Sequence, residues 1–197
     1  MPFVVSLILF AALWLTIVYG VNIAIARKLI PINLRTALLY FVAIGMIGVL
    51  GEIFLDTIYN FFVGHPLWRY NILPIHGGYT SAYAPIIWGI YGFHIYLFHD
   101  TLRTKWNITR SRHLALILSI EALLLESALT LSAIPIFGTL MYYYYPGDLW
   151  HVTSIQNMPF YFIFGVIASK SMRRFRASPA FFTGFALALI LIIVFMT

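Results

Sequence analysis

The sequence predicts an all-α, polytopic membrane protein, a single integral membrane domain spanning residues 1–197 and crossing the bilayer on six helices. Three observations predict it. The chain is 62% hydrophobic and 9% charged, whereas a soluble domain is roughly 25% charged. Its apolar residues fall into blocks of about 20, the length that carries a helix across hydrocarbon. Its basic residues gather between alternate blocks, where they meet lipid headgroups.

Taken in order, the helices are expected at 3–26, 36–60, 80–101, 114–140, 154–171 and 179–196. Arg27-Lys28 and Pro31 end the first. The block before Arg27 is preceded by no basic residue, so it reads as a retained helix rather than a signal peptide. Pro135 is expected to kink the fourth helix. Tyr142, Tyr143, Tyr144 and Tyr145 read as an interfacial aromatic belt closed by a turn at Pro146-Gly147-Asp148.

Loops 27–35, 102–113 and 170–177 hold every Lys and Arg except Arg69. Positive charge stays in the cytoplasm. The expectation is therefore a multi-pass protein of the plasma (inner) membrane with both termini on the non-cytoplasmic side. The net charge of +6 is accounted for at headgroups, and with no recognition motif nucleic acid is not an expected partner. The chain has no cysteine, which excludes disulfides, thiolate nucleophiles and Cys-ligated metals.

A doubled pattern runs through the middle of the chain. Glu52 is followed by Trp68, Thr80-Ser81, Pro85 and Gly89; Glu126 is followed by Trp150, Thr153-Ser154, Pro159 and Gly165. The expectation is an internal two-helix repeat, helices 2–3 and 4–5, related by an axis along the membrane normal.

Charges within hydrocarbon cost about 2.5–3.5 kcal/mol each, so they ask for a reason. Glu52 lies about 24 Å up the second helix, in the outer half, with Asp56 one turn higher on the same face. Glu126 lies about 18 Å up the fourth helix, near the midplane. The repeat would set Glu52 and Glu126 face to face. Two carboxylates in low dielectric repel, so one is expected to hold a proton. Such a pair suits cation binding, proton relay or acid–base work. The plain alternative is that each is hydrogen-bonded to neighbouring helices and only ties the bundle together. Lower down, His94 and Glu121 are expected to pair.

The outside loops place Trp68, Arg69, His76, Trp150 and His151 as a roof over the two glutamates. Arg69 is expected in a salt bridge with Asp56 or Asp148, with capture of an anionic group the alternative. Thr80 and Ser81 open the third helix, and Gln156 and Asn157 bring two amides toward the carboxylates. The histidines have no tight spacing and no HExxH, so no metal site is expected. The absence of GxSxG weighs against a serine hydrolase. Gly45, Gly48, Gly51, Gly89 and Gly92 are expected to let helices approach closely.

The run Gly51-Glu52…Trp68…Gly78-Tyr79-Thr80-Ser81…Trp88-Gly89-Ile90-Tyr91-Gly92, with Glu126…Trp150…Thr153-Ser154…Gly165, resembles the CmpB-like family of small polytopic proteins labelled type IV ABC transporters. The resemblance covers residues 50–170. The second unit departs from the family's Trp-Asp-Tyr run and reads Leu149-Trp150-His151. It implies the doubled unit more than an activity, because the chain has no nucleotide-binding loop.

The leading functional expectation is a small transporter, channel or permease-type protein with a polar site in the outer half of the bilayer. An enzyme at the outer leaflet using Glu and His, and an assembly subunit without chemistry, are the alternatives. Membrane lipids, a small molecule or ion, and further copies or other membrane subunits are the expected partners. No cofactor is assigned.

Overall fold

The computed structural model describes residues 2–177, so the sixth expected helix lies outside the described residues. Five helices are seen: α1 (Phe3–Ala26), α2 (Leu34–Val63), α3 (Ala84–Trp106), α4 (Ser111–Phe137) and α5 (Met158–Ala177). Between them lie four short strands: β1 (Trp68–Tyr70), β2 (Pro74–Ile75), β3 (Thr80–Ser81) and β4 (Tyr142–Tyr144).

Local chemistry sets the ends. Asn33 Oδ1 accepts from the Thr36 amide at 3.0 Å and starts α2. Gly64 closes α2 at φ 84°, a left-handed conformation that glycine adopts without a Cβ penalty. Pro135 lies in the last turn of α4, which stops at Phe137, so it marks the helix end rather than a mid-helix kink. The third helix starts at Ala84, later than the expected 80, because Thr80-Ser81 pair as a strand with Pro74-Ile75. Pro85 then sits in the first turn of α3, where its missing N–H costs nothing.

α1, α2 and α4 are each long and apolar enough to cross a bilayer. Their outward faces carry large apolar side chains, such as Ile8, Leu9 and Leu13 on α1 and Leu124 and Leu131 on α4. That is the arrangement of a membrane protein, whose solvent on that side is hydrocarbon. The inward stripe of α1 is Phe10, Trp14, Val18 and Asn22, one residue per turn. Trp14 ties α1 to α4 through a 3.0 Å bond from its Nε1 to Ser132 Oγ.

α2 packs along α3, and α4 along α5, while α1 lies against α3 and α4. The α2–α3 contact is close because glycines face it. A Cβ at Gly48 would overlap the Trp88 ring, and one at Gly92 would overlap the Tyr40 carbonyl.

The strands are the departure from an all-α reading. β1 and β4 pair antiparallel, with Trp68 opposite Tyr144, Arg69 opposite Tyr143 and Tyr70 opposite Tyr142. The tyrosines read as an interfacial belt are therefore the second strand of a ribbon. Alternation decides which way each side chain goes: Trp68, Tyr70, Tyr142 and Tyr144 are buried, and Arg69 and Tyr143 are exposed. Strands of two or three residues are too short to leave a periodic signal in the sequence.

Candidate functional site

Two carboxylates on two different helices, Glu52 buried and Glu126 half-buried, each gather hydrogen bonds from the loop and helix that follow. Glu52, 6% exposed, accepts from the Tyr70 hydroxyl, from Thr80 Oγ1 at 2.5 Å and from Trp88 Nε1 at 2.8 Å. Glu126 accepts from the Tyr144 hydroxyl at 2.6 Å and from the Thr153 hydroxyl, with Tyr161 a further donor. The separations match: glutamate to tyrosine is 18 positions in both sets, and glutamate to threonine is 28 in one and 27 in the other.

Glu52 and Glu126 line one cavity of about 70 Å³, together with Tyr70, Trp88, Tyr142 and Tyr161. The same six side chains line a second cavity of about 30 Å³, which reaches Trp68 and Asn157. At about 30 Å³ per water, the larger holds about two waters or a small cation. Among the described residues no Lys or Arg lines either cavity. Every donor to the carboxylates is a neutral O–H or N–H, which polarises toward negative charge without cancelling it. Two ionised carboxylates here would repel without a counter-charge in the lining, and a proton or a cation would relieve that repulsion.

The larger cavity also reaches His94. His94 is 1% exposed, and its Nε2 lies 2.8 Å from Glu121 Oε1, at ion-pair distance though outside hydrogen-bond alignment. The Asn22 amide fixes the ring. Its Nδ2 donates to the Val18 carbonyl at 2.8 Å and lies 2.8 Å from His94 Nδ1. An amide held this way makes Nδ1 the acceptor, so the neutral ring carries its proton on Nε2, the nitrogen facing Glu121.

The remaining expected site residues divide by which way they face. Asp56 is fully buried, accepts from the Leu67 amide at 2.5 Å and keeps Oδ2 without a hydrogen bond. It anchors the loop after α2 and lines neither cavity. Trp68 is buried, with its Nε1 donating to the Tyr79 carbonyl at 2.9 Å. Arg69 forms no salt bridge with Asp56 or Asp148; it is exposed, and its Nε donates to the Gly77 carbonyl at 3.2 Å. The strand turns it to the outer face, away from both partners expected for it. Asp148 instead accepts from the Ile155 amide at 2.9 Å and from Ser154 Oγ at 3.1 Å.

His76, Trp150 and His151 do not roof the carboxylates. His76 sits at φ 52° in the turn beneath Arg69, and lines neither cavity. Trp150 is 84% exposed. His151 stacks on Tyr143 at 4.4 Å, with Nδ1 2.7 Å from the Tyr144 carbonyl. Among the described residues no three His, Asp or Glu side chains gather as metal ligands would.

Ser81 and Ser154 shape turns. Ser81 Oγ donates to the Ile72 carbonyl at 2.6 Å and accepts from the Tyr83 amide at 3.0 Å; Ser154 Oγ accepts from the Gln156 amide at 3.2 Å. Gln156 is exposed and its Oε1 accepts from the Tyr59 hydroxyl at 2.8 Å. Asn157 acts one bond back from Glu126: its Nδ2 donates to the Tyr144 hydroxyl at 2.7 Å, and that hydroxyl donates on to Glu126.

Sequence reasoning missed Tyr70, Trp88, Tyr142, Tyr144 and Tyr161. A signal for two of them was present in the equal glutamate-to-tyrosine spacing. The hydroxyls of Tyr70, Tyr142 and Tyr144 are held well above the ordinary tyrosine range, first by burial and then by the neighbouring glutamates.

No family model matches the chain, and no curated protein or solved structure matches it.

Proposed function

We infer that this chain is a small membrane transporter in which Glu52 and Glu126 form a shared site for a proton or a small cation. One observation carries the reading: a single cavity is lined by both carboxylates and by His94, whose other face meets Glu121. Ionisable groups thus succeed one another from the outer-half pair to the inner-half pair. A metal enzyme at the outer leaflet would need the loop histidines to converge on a carboxylate, whereas His76 and His151 turn to separate loop positions.

The same reading takes α2–α3 and α4–α5 as two parallel units. The strand register supports it. Moving each β1 residue by the Glu52-to-Glu126 offset carries the pair Trp68 and Tyr144 onto Tyr142 and Tyr70, which is itself a pair. A twofold axis through Arg69 and Tyr143, perpendicular to the ribbon, has that property. It also sets the glutamates on either side of the axis, where transporter sites commonly form. The CmpB-like resemblance enters here through its doubled Glu and Thr-Ser; its two tryptophans do not correspond in this register, which matches Trp68 to Tyr142 and leaves Trp150 exposed. Six spans, with the basic loops in the cytoplasm and both termini outside, complete the proposal.

Reconstitution tests it. Purified protein in sealed liposomes is given an imposed gradient of protons, sodium, potassium or methylammonium. The reading predicts that at least one gradient collapses faster than in protein-free liposomes. No acceleration for any of the four would overturn it.

A further inference from the structure

We propose that a separate cavity, at the end of the bundle where α3 gives way to α4, binds a phosphate group carried by an anionic lipid. The cavity is about 260 Å³, several times the 70 Å³ of the carboxylate cavity. Residues of α2, α3, α4 and α5 line it, so it lies between helices rather than on one face.

Its lining is divided by chemistry. His99 and Arg103 are one turn apart on α3 and so share a face. Thr109 comes from the α3–α4 linker and Ser111 is the first residue of α4. These four supply a guanidinium, an imidazole and two hydroxyls. Among the described residues no Asp or Glu lines the cavity. Beneath them Leu114, Leu118, Ala168 and Met172 form a buried apolar floor. A charged mouth over an apolar floor matches a diester phosphate with its glycerol and the first methylenes of an acyl chain.

The start of α4 adds to the charge. Arg110 stands at its N-cap and no side chain caps the helix there. The amide dipoles of a 27-residue helix therefore end beside the hydroxyls of Thr109 and Ser111. Among the described lining residues Arg103 is the one able to hold two phosphate oxygens at once with parallel N–H bonds. Lys105, by contrast, is spent elsewhere: its Nζ donates to the Ile25 carbonyl at 2.7 Å and lies over the Trp106 ring. Basic pockets between membrane helices are the usual seats of anionic headgroups.

The site is independent of the carboxylate cavity, which shares none of these residues. The test is native mass spectrometry of the full chain, released from nanodiscs of equal phosphatidylglycerol and phosphatidylcholine. A parallel titration uses inorganic phosphate, read by thermal shift in detergent. Wild type is expected to retain phosphatidylglycerol over phosphatidylcholine, and Arg103→Gln to lower that retention about fivefold, the worth of one basic contact. Ser111→Ala is the second probe of the mouth, and Ala168→Phe, which fills the floor, should exclude lipid while leaving inorganic phosphate able to bind. Glu52→Gln should leave retention unchanged. Stabilisation by inorganic phosphate that Arg103→Gln removes, without lipid preference, supports the phosphate site and makes free phosphate its source. Lipid retention equal for both headgroups, with no phosphate shift, overturns the proposal, as does phosphatidylglycerol retention that none of the three cavity variants lowers.

Discussion

Tyr70 and Tyr142 face each other across the β1–β4 ribbon with ring centroids 5.2 Å apart, and their hydroxyls turn to different glutamates. Tyr70 donates to the carboxylate of Glu52, and Tyr142 reaches the main-chain carbonyl of Glu126 at 3.4 Å. The ribbon therefore does more than close the loops. It joins the loop after α2 to the loop after α4 and brings a tyrosine to each glutamate.

Tyr70→Phe should cost about 1 kcal/mol, the net worth of one buried hydrogen bond to a carboxyl group, and Tyr144→Phe about 2 kcal/mol, since its hydroxyl also accepts from Asn157. The two-unit reading expects a loss at both, since each tyrosine donates to its own glutamate. Thermal unfolding of the purified variants checks it. A large loss for one and none for the other would mean that the units are not equivalent.

Gly48→Ala and Gly51→Ala make a matched pair one turn apart in their effects on Glu52. A Cβ at 48 overlaps the Trp88 ring, whose N–H serves Glu52, whereas a Cβ at 51 meets nothing within 4 Å. The first should destabilise by about 1–3 kcal/mol through overpacking, and the second should be nearly neutral. Equal effects would show that α2 and α3 do not approach as described.

Arg69→Ala should change stability by less than about 0.5 kcal/mol and leave transport intact, because the side chain is exposed and its Nε donates to a carbonyl. Trp68→Ala, at the neighbouring buried position, should cost about 3–5 kcal/mol. Loss of activity in Arg69→Ala with wild-type stability would return Arg69 to the working site.

These contrasts also show what the sequence could and could not carry. The first helix stands at 3–26 in sequence and structure because an unbroken apolar block ended by Arg-Lys has one reading in a bilayer. Glu52 and Glu126 stood out because a charge in such a block has no solvent reason to be there. The loops after α2 and α4 were not legible in the same way. Arg69 and Tyr70 are adjacent, and only the strand alternation sends one outward and the other to Glu52. That alternation depends on pairing with a strand 74 positions on, which no local pattern encodes. His76, Trp150 and His151 were grouped with the glutamates by proximity in sequence, and the turns at φ 52°, 50° and 62° carry them elsewhere.

High pH should unfold the protein through its tyrosines. Burial holds the hydroxyls of Tyr70, Tyr142 and Tyr144 above the ordinary range, so the folded form keeps their protons after the unfolded form has lost them. Stability is then unaffected by these groups below about pH 10 and falls as pH rises beyond it. Tyrosinate absorbance followed beside helical ellipticity should show these tyrosines ionising only with unfolding. Their ionisation in the folded protein would contradict the buried ribbon.

The orientation has a clean assay, because the chain contains no cysteine and any introduced one is unique. Cysteine at Trp150, which is 84% exposed, should react with an impermeant maleimide in intact cells, and cysteine at Arg110 only after lysis. The reverse pattern would invert the topology.

The most direct test of the shared carboxylate site is the gradient collapse in liposomes repeated with Glu52→Gln and Glu126→Gln. Each substitution keeps the size of the side chain and removes its charge. The account predicts that both variants fold, with thermal midpoints within a few degrees of wild type, and that both fall to the rate of protein-free liposomes. Full activity in both folded variants would contradict it and leave the two glutamates as ties within the bundle.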